Sequence, residues 1–502
     1  MSLLIERYHT QIEGVLSCYD RIVIKGTLPQ LCYAQGMTSY LYFHNIRIFD
    51  YPKLAEPLRD ELRLNAEKIA TANGIEIEFV AKKHIRKEDL VKKVLDKRGN
   101  APGLVHILSA METCESYQAW HDKRTHKTYL KAKQGKCLHY YFYFIDEDLG
   151  LCYVRVPTWC PFKLQIYLNG HNWLASKLKK KKIGYSLLDN AFDHITDYEQ
   201  AQQLSNGLSV EQLHKKLDQF AQRYCPVHAH FEQVYHWSVM QVEYATDIVF
   251  KKQADLQWIY DQLIRTAIHT VKPDNIATFL GRKLHGNYQG EVGNNYHVRV
   301  EGTRIKHSMA KVSIKMYDKH KKILRIETTA NDISFFKHYR TVEHKDGTTS
   351  SQNASMKKNI YSLAPLRKIM TASNKRYLEF ISAIDDQKTG RQNLKRVSQP
   401  VKKNNRNYKG FNFFNHQDLE LLLIIARGEF NVYGFQNKNI RKFLKHKNSG
   451  QVSRLIKRLY EHRLIRKIKN SYKYYLTNLG KQIILTALKI KELIIVPQLN
   501  TI

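Results

Sequence analysis

Ser449-Gly450-Gln451-Val452-Ser453-Arg454-Leu455-Ile456-Lys457-Arg458-Leu459, followed by Leu464-Ile465-Arg466-Lys467-Ile468-Lys469-Asn470-Ser471-Tyr472-Lys473-Tyr474-Tyr475-Leu476, is the stretch that decides the reading of this chain. Val452, Leu455, Ile456 and Leu459 recur at three- and four-residue spacing, the apolar stripe of a helix whose other face carries Gln451, Arg454, Lys457 and Arg458. The runs Leu464–Lys469 and Tyr472–Leu476 are strand-like about the turn Asn470-Ser471. Upstream, Asn437 is a suitable N-cap for a short helix with Ile440, Phe443 and Leu444 turned inward and Lys438, Arg441, Lys442 and Lys445 turned outward. Lys447 to Gly450 then forms a polar turn, and Thr477 caps a last apolar helix bearing Leu479, Ile483 and Ile484. From Asn437 to Gln482 there are 14 Lys and Arg against one acid, Glu461.

Helix, turn, helix, β-hairpin and closing helix is the order of a winged helix-turn-helix. The segment resembles the C-terminal half of the MarR-type bacterial regulators over about the last 85 residues, with an error of a few residues at each end. The resemblance implies that the helix starting near Ser449 enters the major groove of duplex DNA while the hairpin around Asn470 follows the phosphate backbone or minor groove. The DNA contacts expected are Ser449, Gln451, Arg454, Lys457, Arg458, Lys467, Lys469, Tyr472 and Lys473. The competing reading is a winged helix used for protein contact, with a solvated charge run. Neutralising phosphates demands this density of cations on one small module and a solvated face does not, which favours DNA.

Composition agrees. Over 502 residues, 81 Lys and Arg against 46 Asp and Glu give a formal net charge of +35, which implies a polyanionic partner without separating duplex DNA from single-stranded DNA or RNA. No apolar run reaches the roughly 18 to 20 residues that span a bilayer, and Met1 to Glu6 lacks a signal peptide's basic start and apolar core, so no membrane association and a cytoplasmic location are expected. The seven cysteines are scattered without a Cys-x-x-Cys pair, so they read as reduced, mostly buried thiols.

The expected fold is α/β, a mixed α+β body with the winged helix at its end. Four regions are read: 1–135, an N-terminal α/β region; 136–384, a central α+β region; 385–410, a linker rich in Lys, Asn and Gln; and 411–502, the winged helix. Residues 344–358 read as an exposed loop. In the N-terminal half the patterns predict a strand at Cys18–Gly26, a helix at Glu56–Asn73 with Leu58, Leu62, Ala66 and Ile69 on one side, a strand at Ile75–Val80, and a hairpin of Lys136–Phe144 with Leu151–Val156. Tyr140, Tyr143 and Tyr153, with Trp159 and Phe162, are aromatic enough to stack single-stranded bases, although half-buried sheet residues share that composition.

The chemistry is expected between Tyr296 and Asp332. Val312, Ile314 and Met316 alternate with Lys311, Ser313, Lys315 and Tyr317; after a turn at Asp318–Lys322, Arg325, Glu327 and Thr329 alternate with Leu324, Ile326 and Thr328. His297, Arg299 and Glu301 alternate with Val298 and Val300 upstream. Three such strands in one sheet would gather Glu301, Glu327, Lys315, Arg299, Arg325 and Tyr317 on one face, with Asp318 at its edge. Glu301, Glu327 and Asp318 would hold Mg²⁺ or Mn²⁺, Lys315 and Arg325 would stabilise a pentavalent phosphorus, and Tyr317 would attack it. The pattern Lys315-Met316-Tyr317-Asp318-Lys319 with Leu324-Arg325-Ile326-Glu327 resembles an element of rolling-circle replication initiators over about fifteen residues, a short motif of weak specificity. A sheet face laced by Arg/Glu cross-strand pairs accounts for the same residues without catalysis. Glu243 and Asp247, placed four apart on a helix, and His228-Ala229-His230 are weaker metal candidates.

Fragments such as Arg155–Phe162 and Asn169–Trp173 give the whole chain a resemblance to long bacterial proteins of unassigned activity with a MarR-like tail. Three functions are compatible with these readings. The first is a duplex-binding replication initiator or mobile-element endonuclease. The others are a MarR-like regulator with a large non-catalytic body, which would suit a homodimer, and an RNA-associated protein.

Overall fold

The computed structural model describes residues 3–82, 84–284, 288–299, 302–382, 395–413, 415–468 and 471–489. The fold is mixed α/β, and its residues fall into two compact units. One comprises Met1–Leu16, Ala245–Thr329 and Lys368–Ile502, and the other Ser17–Tyr244 and Ala330–Arg367. Both are assembled from non-contiguous segments, whereas the reading from composition divided the chain sequentially.

In the unit that begins at Ser17, the strands hydrogen-bond in the order β9 (His236–Phe250, as far as Tyr244), β1 (Ile12–Thr27, from Ser17), β6 (Leu164–Leu168), β5 (Gly150–Pro157), β4 (Lys127–Asp146), β3 (Gly103–Asp122), β2 (Ile77–Phe79). The predicted hairpin is present with Tyr143 opposite Tyr153, but β4 is far longer than its apolar run because it also pairs along its whole length with β3. The predicted strand at Ile75–Val80 shortens to three residues, which pair parallel to β3. The helix Tyr51–Ala72 buries Leu58, Leu62 and Ala66 as its spacing requires. A small hairpin joins β7 (Tyr185–Leu188) to β8 (Ala191–Ile195). Residues 344–358 are not a plain loop: β14 (Lys337–Glu343) and β15 (Thr349–Ser355) pair across them as a polar hairpin.

The base-stacking reading of the aromatics is not sustained. Tyr140, Tyr143 and Phe162 are buried, Tyr153 stacks on Tyr167 at 5.2 Å, and the Trp159 indole N–H donates to Ser116 Oγ at 2.8 Å. Paired strands with a covered face consume these rings as core. The cysteines are free thiols, all buried except the partly exposed Cys32.

In the other unit the order is β10 (Val292–Arg299), β11 (Gly302–Met309), β12 (Val312–Lys319), β13 (Ile323–Ala330), β9. The turn between β12 and β13 places His320 and Lys321 at φ 53° and 58°. The same unit holds the C-terminal elements: helices His416–Ile425, Gly428–Tyr433, Asn437–Arg441 and Ser449–Glu461, strands β18 (Ile465–Lys467) and β19 (Tyr474–Leu476), and helix Asn478–Lys489. Leu421, Ile440, Val452, Ile456, Leu459, Leu464, Ile465, Leu476 and Ile483 pack into one core. The stretch read as an irregular linker contains an ordered hairpin of β16 (Val401–Lys403) with β17 (Arg406–Tyr408), and Val397 and Phe411 on either side of it join that core. Asn404 and Asn405 take the left-handed conformations of its two-residue turn, φ 45° and 58°, which a Lys/Asn-rich composition hid. Among the described residues no helix is long and apolar enough to cross a membrane.

Candidate functional site

The helix Ser449–Glu461 opens on a reciprocal cap. Asn448 Oδ1 accepts from the Gln451 backbone N–H at 2.9 Å, and Gln451 Oε1 accepts from the Asn448 N–H at 2.8 Å. Gln451, expected on the reading face, is therefore engaged in the cap. Asn437 is not a cap; Gln436 occupies that position, and Asn437 Nδ2 instead donates to Ser449 O and Ser453 Oγ, tying the two helices together. Ser449 Oγ leans on Asn437 Oδ1 at 3.4 Å. Phe443 is more than a third exposed, unlike the buried Ile440 and Leu444.

Ser453, Arg454, Lys457 and Tyr460 form the exposed stripe of this helix. Lys457 pairs with Glu461 at 2.6 Å and keeps about half its side chain, 54%, in solvent. Arg458 departs from expectation. It is 15% exposed, binds both oxygens of Asp418 at 2.7 and 2.9 Å, donates to the carbonyls of Lys409 and Gly410, and lies 3.9 Å from the Phe411 ring centroid. Its guanidinium is an internal clamp. In the hairpin, Arg466 and Lys467 are exposed, Tyr472 is 81% exposed with Lys467 over its ring, and the Lys473 side chain is partly exposed. Lys469 lies outside the described residues.

On β12 and β13 the structure brings together part of the predicted set. Lys315 Nζ meets Glu327 Oε1 at 2.6 Å, the Tyr317 hydroxyl donates to Glu327 Oε2 at 2.7 Å, and Thr329 Oγ1 donates to Oε1 at 3.2 Å. Glu327 is 2% exposed, so its charge is compensated by an adjacent ammonium and two hydroxyls in a largely dry place. The predicted metal set does not assemble. Asp318 follows Tyr317 directly and so projects from the opposite face of β12, away from Glu327. Glu301 lies outside the described residues, and β10, which ends at Arg299, is separated from β12 by β11.

Arg325 is also withdrawn from the expected surface. Its Nε and Nη2 donate to the two oxygens of Asp247 at 2.6 Å each, and the side chains are 0% and 2% exposed. Nearby, Thr328 Oγ1 donates to Asn374 Oδ1 at 2.6 Å and Asn374 Nδ2 to Thr246 Oγ1 at 3.1 Å. The segment carrying Glu243 and Asp247 is strand β9 and not a helix. The four-residue spacing still places both on one face, because the period of a strand is two.

In the unit that begins at Ser17, Asp20 is buried, accepts from Asn190 Nδ2 at 2.6 Å and lies 3.1 Å from His171 Nδ1. One of its oxygens is within 4.8 Å of one of Glu243, and Arg21 approaches Glu243 at 4.0 Å. These are hard oxygen donors suited to Mg²⁺ or Mn²⁺. Asp20 sits inside the apolar run Cys18–Gly26 of β1, whose local pattern carries no sign of a ligand. His228 and His230 are not a ligand pair: on a short 3₁₀ turn, one bonds Cys225 O and the other Glu61.

No family model and no curated protein matches the chain. Among solved structures, the rolling circle replication initiator protein from Geobacillus stearothermophilus aligns at a TM-score of 0.19 and 8% identity, covering 63% of this chain and 74% of that one, a likeness too slight to carry an argument about fold or function.

Proposed function

We propose that the chain binds duplex DNA through its C-terminal module, which acts as a winged helix with the Ser449–Glu461 helix as reading element. The observation that carries this is the exposed stripe of Ser453, Arg454, Lys457 and Tyr460 beside the cationic hairpin of Arg466, Lys467, Tyr472 and Lys473. Arg and Lys there would engage phosphates and base edges, and Tyr472 is exposed enough to lie against the backbone. The test is a titration of full-length protein with duplex across salt concentration. Arg454→Ala with Lys457→Ala is expected to weaken binding and to make log K less steep in log salt by about 0.9 for each phosphate no longer neutralised. Affinity indifferent to salt, or RNA bound in strong preference to duplex, would remove the reading.

A strand-nicking role is favoured by one feature, the Tyr317 hydroxyl bonded to Glu327. In this reading Glu327 takes the phenolic proton as Tyr317 oxygen bonds to phosphorus. The bond from phosphorus to the leaving sugar oxygen breaks, that oxygen takes a proton from water to become a free hydroxyl, and Lys315 steadies the charge. Within the other unit, Asp20 and Glu243 offer carboxylate oxygens that would hold Mg²⁺ or Mn²⁺. Supercoiled plasmid should be relaxed with protein attached covalently to DNA, and Tyr317→Phe and Glu327→Ala should each abolish the adduct. Relaxation that survives Tyr317→Phe refutes the tyrosine as nucleophile.

A further inference from the structure

Beside the C-terminal module, the segment read from sequence as a linker and the far end of the reading helix enclose a cleft of about 530 Å³. One wall comes from Arg396 and from Lys402 and Lys403 of the β16–β17 hairpin; the other comes from Arg463, Arg466 and Lys467, where the helix runs into β18. All six of these cationic side chains are exposed. The acid in the lining is Glu461, whose side chain is 3% exposed and whose oxygens are occupied by Lys403 at 2.9 Å and Lys457 at 2.6 Å. Its carboxyl is held below the usual carboxylate range first by the hydrogen bond from Lys403 and then by that from Lys457. One buried negative charge against six cations leaves a strong surplus of positive charge facing the cleft.

The walls are fixed to one another. Arg458 reaches from the helix to the carbonyls of Lys409 and Gly410, and His462 Nε2 meets Lys409 O at 3.1 Å. Phe411 N–H donates to Val397 O at 3.0 Å, and a Cβ on Gly410 would sit 2.0 Å from Ser398 O. The cations are thus gathered on an anchored hairpin, and holding like charges together in this way costs stability unless an anion is bound.

We propose that this cleft extends the nucleic-acid surface beyond the hairpin, sharing Arg466 and Lys467 with it, and grips the phosphodiester backbone of a strand continuing past the reading helix, adding affinity without base preference. The inference rests on the DNA-binding reading above and deepens it. Lysines and arginines without base-edge geometry contribute through phosphate contacts and counterion release, so their loss should weaken all sequences alike.

The experiment uses the full chain and compares native protein, Arg396→Gln with Lys402→Gln, and Arg454→Ala with Lys457→Ala, on short duplexes of two unrelated sequences over a range of salt. For Arg396→Gln with Lys402→Gln the slope of log K against log salt is expected to become shallower by about two, with the same fractional loss on both sequences. Lys402→Arg should retain the native slope, and an unchanged thermal melt shows that the exposed substitutions leave the fold intact. A native slope and affinity in the Arg396/Lys402 variant, with binding still lost in the Arg454/Lys457 variant, overturns the cleft and leaves the duplex reading standing. Failure of the native chain to bind either duplex or single-stranded oligonucleotide overturns both.

Discussion

Arg325→Ala should be among the most damaging single substitutions in the molecule. It removes a guanidinium that meets both oxygens of Asp247 at 2.6 Å where neither partner reaches solvent. The carboxylate left behind cannot rehydrate, and breaking a buried pair from one side costs about 3–5 kcal/mol. A domain holds only about 5–15 kcal/mol in total, so this is a large share of it. Arg325→Met combined with Asp247→Leu removes both charges and refills the space with apolar atoms; such exchanges are neutral or stabilising by about 1–4 kcal/mol. The assay is urea unfolding of the full chain followed by circular dichroism. At a slope of about 2 kcal/mol/M the single variant should unfold about 1.5–2.5 M earlier than the native chain. A single variant within about 1 kcal/mol of native, or a double variant as unstable as the single one, would refute the view that Asp247 is destabilising once its buried guanidinium partner is gone.

Two further outcomes follow from the same unit. His307 is buried, its Nδ1 2.6 Å from Asn294 Oδ1 and its Nε2 3.0 Å from the Tyr377 hydroxyl, and burial lowers its pKa to about 4. The unfolded chain takes up this proton near pH 6.5 and the folded chain only near 4, so the contribution is complete above 6.5 and is lost as pH falls between the two, on the order of 3 kcal/mol in all. His307→Gln should flatten that part of the stability profile, and identical profiles would contradict the assignment. Asn448→Ala removes the cap of the Ser449–Glu461 helix, worth about 1 kcal/mol, and should speed amide exchange in the first turn at Gln451 and Val452 while leaving β12 and β13 unchanged; equal exchange in both places would count against it.

Features that depend on near neighbours are legible in the residues alone. The apolar stripe of Val452, Ile456 and Leu459, the Thr477 cap and the alternation along Lys315–Tyr317 appear in the structure because helix and strand periods act over a few residues, whereas β13 is buried at every position on both faces. Lys315, Tyr317 and Glu327 come together because β12 and β13 are joined by a tight turn. Tertiary structure alone decided the rest. Nothing local announces that β11 lies between β10 and β12, that Asp247 meets Arg325 from 78 residues away, or that Asp418 turns Arg458 inward from 40. An exposed arginine and a clamped one have the same sequence neighbourhood. They differ only in whether a distant carboxylate and carbonyls arrive to bind the guanidinium, and that is settled by the packing of the whole core.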